Sequence, residues 1–158
     1  MRVKDVIAED FLNYKEPAMF ITTAMCDWKC CKECGVDDVC QNKELAHTPT
    51  KDVPDELLYD LFRSNNITKA VVIGGLEPML QFEEVLNLIR LFRGSKCNCT
   101  FVIYTGYYEQ EISEMIDQLR PEKNIIVKFG RYVPYTKSRF DDILGVSLAS
   151  DNQYAVSL

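Results

Sequence analysis

Apolar residues arrive along this chain in blocks of two kinds. Ala18-Met19-Phe20-Ile21-Thr22-Thr23, Ala70-Val71-Val72-Ile73, Phe101-Val102-Ile103-Tyr104 and Asn124-Ile125-Ile126-Val127-Lys128-Phe129 are short runs rich in β-branched and aromatic residues, the pattern of strands buried on both faces. Elsewhere apolar residues recur every three or four positions. Leu57, Leu58, Leu61 and Phe62 do so within 55–64, Val85, Leu86, Leu88, Ile89 and Phe92 within 82–92, and Ile112, Met115, Ile116 and Leu119 within 109–119. That spacing predicts three amphipathic helices. Pro54 stands where a first helical turn accepts it, while Gly74-Gly75, Thr105-Gly106 and Gly130 stop the last three strand runs. Gln153–Ser157 predicts a final strand, and 131–152 reads as irregular.

Strands that alternate with helices of about ten residues imply right-handed βαβ units and a mainly parallel sheet. An eight-stranded barrel takes ~250 residues, and the chain has 158. The expected fold is therefore α/β, a single domain over 1–158 built as an open partial (β/α) barrel. Active sites of such sheets gather at the carboxyl ends of the strands. Three distinctive loops fall there: a cysteine loop over 26–42, Gly74-Gly75-Leu76-Glu77-Pro78, and Tyr104-Thr105-Gly106-Tyr107.

Charge and targeting narrow the function classes. With 18 Lys+Arg against 24 Asp+Glu, the net charge of −6 argues against a nucleic-acid partner, which would ask for a basic surface. No uncharged apolar stretch reaches the ~18 residues of a membrane span. Asp5 and the missing apolar segment at the start argue against a secretory signal. A cytoplasmic protein without a membrane partner is expected.

Cysteine changes the picture most. Seven are present, and Cys26, Cys30, Cys31, Cys34 and Cys40 crowd into fifteen positions. An odd count without a secretory signal speaks for metal or cluster binding over disulfides. Soft thiolates select zinc, cuprous copper or iron–sulfur clusters. Cys31 and Cys34 could form one zinc pair with Cys26 and Cys40 as the other; alternatively, three cysteines could hold a four-iron cluster and leave one iron open to a small molecule. Cys97 and Cys99 read as buried structural thiols, and His47, the only histidine, as a loop residue without a role. Gly74 and Gly75 would let backbone approach a ligand closely, with Glu77 adding fixed charge; the same residues also suit a plain strand-to-helix turn that places Pro78 first.

Cys26-Asp27-Trp28-Lys29-Cys30 after the first strand, followed by Gly-Gly-Leu-Glu-Pro after the second, resembles the radical S-adenosylmethionine (SAM) superfamily. Cys40-Gln41-Asn42, Thr105-Gly106-Tyr107 and Ser150-Asp151-Asn152-Gln153 are similar to segments of the activating proteins of anaerobic ribonucleoside-triphosphate reductase. The resemblance implies a [4Fe–4S] cluster on three cysteines, with SAM at the fourth iron and its amino group met by Gly74, Gly75 and Glu77. Two departures accompany it. Leu76 is extra within the Gly-Gly-Glu-Pro pattern, and the third cysteine does not follow Cys30 at the usual distance. Cys26, Cys30 and Cys40 keep both the Cys-x-x-x-Cys spacing and the Cys-Gln-Asn match, with an inserted excursion over 32–39 turning at Gly35-Val-Asp-Asp-Val; Cys26, Cys31 and Cys34 are the competing set.

The activity so implied is reductive cleavage of SAM, with hydrogen abstraction from a glycine of the partner reductase. A low-potential electron donor such as flavodoxin or ferredoxin is implied as well. Trp28 is expected to shield the cluster, to lie near the adenine, or simply to pack the loop. Tyr104 is expected in the pocket wall or the core. Lys123, Lys128, Arg131, Lys137 and Arg139, with no acid between them, form a candidate docking segment for an acidic face of the reductase.

Overall fold

The computed structural model describes residues 1–35 and 39–158. In chain order its elements are β1 (Arg2–Asp10), β2 (Ala18–Thr23), α1 (Lys29–Cys34), α2 (Lys43–His47), β3 (Lys51–Asp52), α3 (Asp55–Ser64), β4 (Ala70–Gly74), α4 (Phe82–Gly94), β5 (Thr100–Tyr104), α5 (Ser113–Leu119), β6 (Ile125–Phe129), β7 (Arg139–Asp141), β8 (Val146–Leu148) and β9 (Tyr154–Ser157). Single 3₁₀ turns at Pro78–Gln81 and Glu109–Glu111 lead into α4 and α5.

Seven strands form one sheet in the order β3-β1-β2-β4-β5-β6-β9. The four central strands are parallel, in a register that runs Ile21, Ile73, Ile103, Val127 across the sheet. Outside them β1, β3 and β9 pair antiparallel, so the sheet is mixed. The alternation of strand and helix gave the parallel centre; the antiparallel flanks come from segments outside that alternation. β7 and β8 pair apart from the main sheet as a hairpin.

The main core lies on one face. Met19, Ile21, Val71, Ile73, Phe101, Ile103 and Val127 pack there against Val85, Leu86, Leu88, Ile89 and Phe92 of α4. The Phe92 ring meets Tyr59 and Phe101 edge-on, each with centroids 5.0 Å apart, the geometry that the ring quadrupoles favour. The second face carries a smaller cluster in which Ala18, Ala70, Val72 and Val102 meet Tyr14, Leu144 and Leu148. Phe20 and Tyr104 pack only partly against it, and the carboxyl ends of the parallel strands stay open.

Several elements depart from the sequence reading. β1 is a long strand, β7 and β8 occupy a stretch expected to be irregular, and two short helices stand within or beside the cysteine loop. His47 ends α2 instead of sitting in a loop. Cys97 and Cys99 are half-buried against the core, short of the full burial expected; burial pushes the Cys99 thiol up to about 12. The turn expected at Gly35-Val-Asp-Asp-Val falls mostly on 36–38, outside the described residues.

Candidate metal centre at the carboxyl ends of the parallel strands

The segments that follow the four parallel strands converge on one cavity of about 500 Å³. Cys26 and Cys30 come from the loop after β2, Gly75 and Glu77 from the turn after β4, Thr105 and Gly106 from that after β5, and Gly130 and Tyr132 from that after β6. Cys40 closes one side and β8 another. Such a volume suits a single ligand of drug-like size.

Glu77 ties the turns together. It is 7% exposed, and its carboxylate accepts from the Thr105 hydroxyl at 2.7 Å, the Gly106 N–H at 2.8 Å and the Met79 N–H at 3.0 Å. Burial raises its pKa, and these three bonds oppose that rise by favouring the anion. Its own N–H donates to the Met25 carbonyl at 2.7 Å, which fixes the start of the cysteine loop. A Cβ added to Gly106 would stand 3.4 Å from the Glu77 carboxylate and 3.6 Å from Cys30 Sγ, so β5 ends in close approach to both. Gly75 adopts φ +80°, and a Cβ there would press on Leu45 at 3.0 Å and Thr22 at 3.1 Å. A glycine is required at that position.

Three thiols share the cavity and a local environment. Cys26, Cys30 and Cys40 line it, whereas Cys31 and Cys34 do not. The Cys26 sulfur accepts the Trp28 N–H at 3.4 Å, and the backbone N–H groups of Tyr132 and Asn42 favour the thiolates of Cys30 and Cys40. Burial pushes all three thiols up, Cys26 to about 11. Among the described residues, no three His, Cys, Asp or Glu side chains close on a point as one metal ion would require.

Lys128 is the member that the sequence reading placed elsewhere. It is buried and lines the cavity, and its ammonium donates to the Gly130 carbonyl at 2.9 Å. Burial pulls its pKa down to about 8, against the opposing pull of Cys30 and Glu77. Arg131 is also buried, on Glu111 and Glu33. The basic segment expected to dock a partner therefore turns two of its five cations inward. Trp28 caps α1 at φ 60° and is not among the cavity-lining residues, and neither is Gly74. Tyr104 does line the cavity; its hydroxyl donates to the Asn13 carbonyl at 2.6 Å.

The model of one protein family, described as a 4Fe-4S single cluster domain, matches residues 18–153. The chain belongs to that family. No curated protein matches it. The match takes in the cysteine loop, all four parallel strands and Gln153 of the cavity wall. The donor set of this single-cluster domain fits the group the family is described by. Three cysteines line one space, and the Cys26 sulfur accepts a backbone N–H, the kind of outer-shell partner that tunes a cluster thiolate. A four-iron cluster takes its sulfurs on separate irons and does not require three of them to close on one point. Glu77 is already occupied by three donors and leaves the ligand set to sulfur. No helix among the described residues is long and apolar enough to cross a membrane.

Proposed function

We propose that this single-cluster domain is a radical SAM activating enzyme that generates a glycyl radical on an anaerobic ribonucleotide reductase, working in the reducing cytoplasm. The observation that carries the reading is the sharing of one cavity by Cys26, Cys30 and Cys40 with Gly75, Glu77 and Lys128. In this reading the sheet is the truncated barrel of the radical SAM superfamily.

Cys26, Cys30 and Cys40 would hold the cluster, which supplies the single electron that cleaves SAM reductively. Lys128 offers a buried cation to the SAM carboxylate, the strongest kind of partner such a group can find. Backbone of the turn over 75–77 is left for the amino group, since the Glu77 side chain holds the β4 and β5 turns in place. Phe20, Leu45 and Leu148 line the cavity and exclude water from it. Trp28, away from the cavity, is assigned to the outer side of the cysteine loop. About 500 Å³ holds one molecule of SAM's size and little more, which favours a macromolecular substrate reached at the mouth. A low-potential donor of the flavodoxin or ferredoxin class supplies the electron.

Anaerobic reconstitution tests the reading. The expected result is about four irons and four sulfides per chain, release of 5′-deoxyadenosine from SAM on reduction, and a glycyl-radical signal on the reductase. A full cluster without SAM cleavage would leave a non-catalytic iron–sulfur module. Stoichiometric zinc and no iron would remove both.

A further inference from the structure

The helix that carries Cys30 lies at the rim of the protein, with Lys29, Cys30, Cys31 and Cys34 half-buried and Lys32 and Glu33 exposed. None of the six residues of α1 is buried. An alternating chain of five charged groups, Asp27, Lys29, Glu111, Arg131 and Glu33, runs along it. The Tyr107 hydroxyl donates to Asp27 at 2.8 Å, just before α1. Lys29 lies 3.4 Å from Glu111 and 4.1 Å above the Tyr107 ring. Glu111 receives both terminal nitrogens of Arg131, at 2.7 and 2.5 Å. The Arg131 Nε in turn lies 3.1 Å from Glu33. Arg131 is 3% exposed and sits against the Tyr108 ring at 4.9 Å.

We propose that Arg131 is a positioning residue for the cluster, clamping α1, and with it Cys30, to the turns after β5 and β6 through Glu33 and Glu111. The inference rests on the cluster-binding reading of the cavity. Its physical basis is the planar guanidinium fork, which fixes Glu111 through two N–H groups, a hold that an ammonium cannot reproduce, while its Nε attracts Glu33 by charge, without a hydrogen bond. One of those carboxylates belongs to the rigid sheet side and the other to the ligand-bearing helix. The outer pairs, Lys29–Glu111 and Arg131–Glu33, each include a side chain at least one-third exposed and are open to screening by salt.

The test compares wild type, Arg131→Met, Arg131→Lys and Glu33→Gln after anaerobic reconstitution. Glu33 is 54% exposed, so Glu33→Gln leaves the fold and the Arg131–Glu111 pair intact while removing the charge through which Arg131 reaches α1. Cluster retention against an iron chelator should fall roughly tenfold in Arg131→Met, the low end of what outer-shell partners contribute, and less in Glu33→Gln. Arg131→Lys should restore only part of it. The reduced cluster's EPR line should broaden in the variants, and amide exchange over 29–34 in the iron-free protein should accelerate. High salt should weaken retention more in wild type than in Glu33→Gln, which keeps only the Lys29–Glu111 pair to screen. If Glu33→Gln matches wild type in retention, EPR line and amide exchange, the clamp is wrong while the cluster reading stands; this arm decides even if Arg131→Met fails to fold. A wild-type chain that takes up no cluster overturns the functional reading and the clamp with it.

Discussion

The side-chain amide of Asn42 donates to the Gly75 carbonyl at 2.6 Å. The residue two beyond Cys40 thus holds the turn two before Glu77, and the two halves of the cavity are registered by a bond between them. Asn42→Ala should leave thermal stability within about 1 kcal/mol of wild type, since the bond is exposed, while SAM affinity falls several-fold. Gly75→Ala should lower both, because a side chain at φ +80° is strained and meets Leu45 and Thr22. Calorimetric titration beside thermal melts separates the two; equal SAM affinity in Asn42→Ala and wild type would detach Asn42 from the site.

The thiols divide into three that face the cavity and four that do not. Cys26→Ala, Cys30→Ala and Cys40→Ala should each lose the brown chromophore on reconstitution, whereas Cys31→Ala, Cys34→Ala and Cys97→Ala should keep about four irons. Iron and sulfide assays on the six proteins decide between the two ligand sets. Loss of iron in Cys34→Ala with retention in Cys40→Ala would transfer the site to Cys26, Cys31 and Cys34.

Lys128→Met keeps the length of the side chain and removes its charge. A hydrogen bond to a charged group contributes about 1.5–3 kcal/mol, so SAM should bind roughly ten- to hundredfold more weakly, with cluster content unchanged. An unaltered dissociation constant would deny Lys128 the carboxylate.

Glu111 carries a pH signature. Hydrogen bonds from Arg131 hold its carboxyl at about 2, below its ordinary 4.5. Folding therefore favours its ionised form, and that contribution is complete above about pH 5 and disappears as pH falls toward the folded-state value. The stability gap between wild type and Glu111→Gln, measured by denaturant titration of the iron-free protein, should be constant from neutrality to about pH 5 and then narrow. A gap that widens on acidification would contradict the pairing.

How much of this was legible in the sequence follows from where each signal lives. The parallel strands and α3 to α5 could be read because their burial is set by local pattern: Ala70–Gly74 is wholly buried and wholly apolar or glycine. β1 hid because it mixes Arg2, Lys4, Asp5, Glu9 and Asp10 with its apolar residues, and its pairing with β2 shifts register twice. Lys4 is nonetheless buried, its ammonium bound by the Ala46 and Thr48 carbonyls, partners more than forty positions away. Sequence separation also concealed Arg131, whose carboxylates come from α1 and, 20 positions away, from the turn before α5. A run of basic residues records charge and not direction, so Lys128 and Arg131 looked like Lys137 and Arg139. The cysteine loop and the glycine turn were legible as chemistry; the N–H groups that favour the three thiolates were not, because backbone donors leave no trace in residue type.

Neither α1 nor α2 buries a single residue, whereas the parallel strands behind them are almost wholly buried. Substitutions on the outer sides of these helices should therefore cost the fold little, and local opening of the cysteine-bearing segment should need less free energy than opening of the sheet.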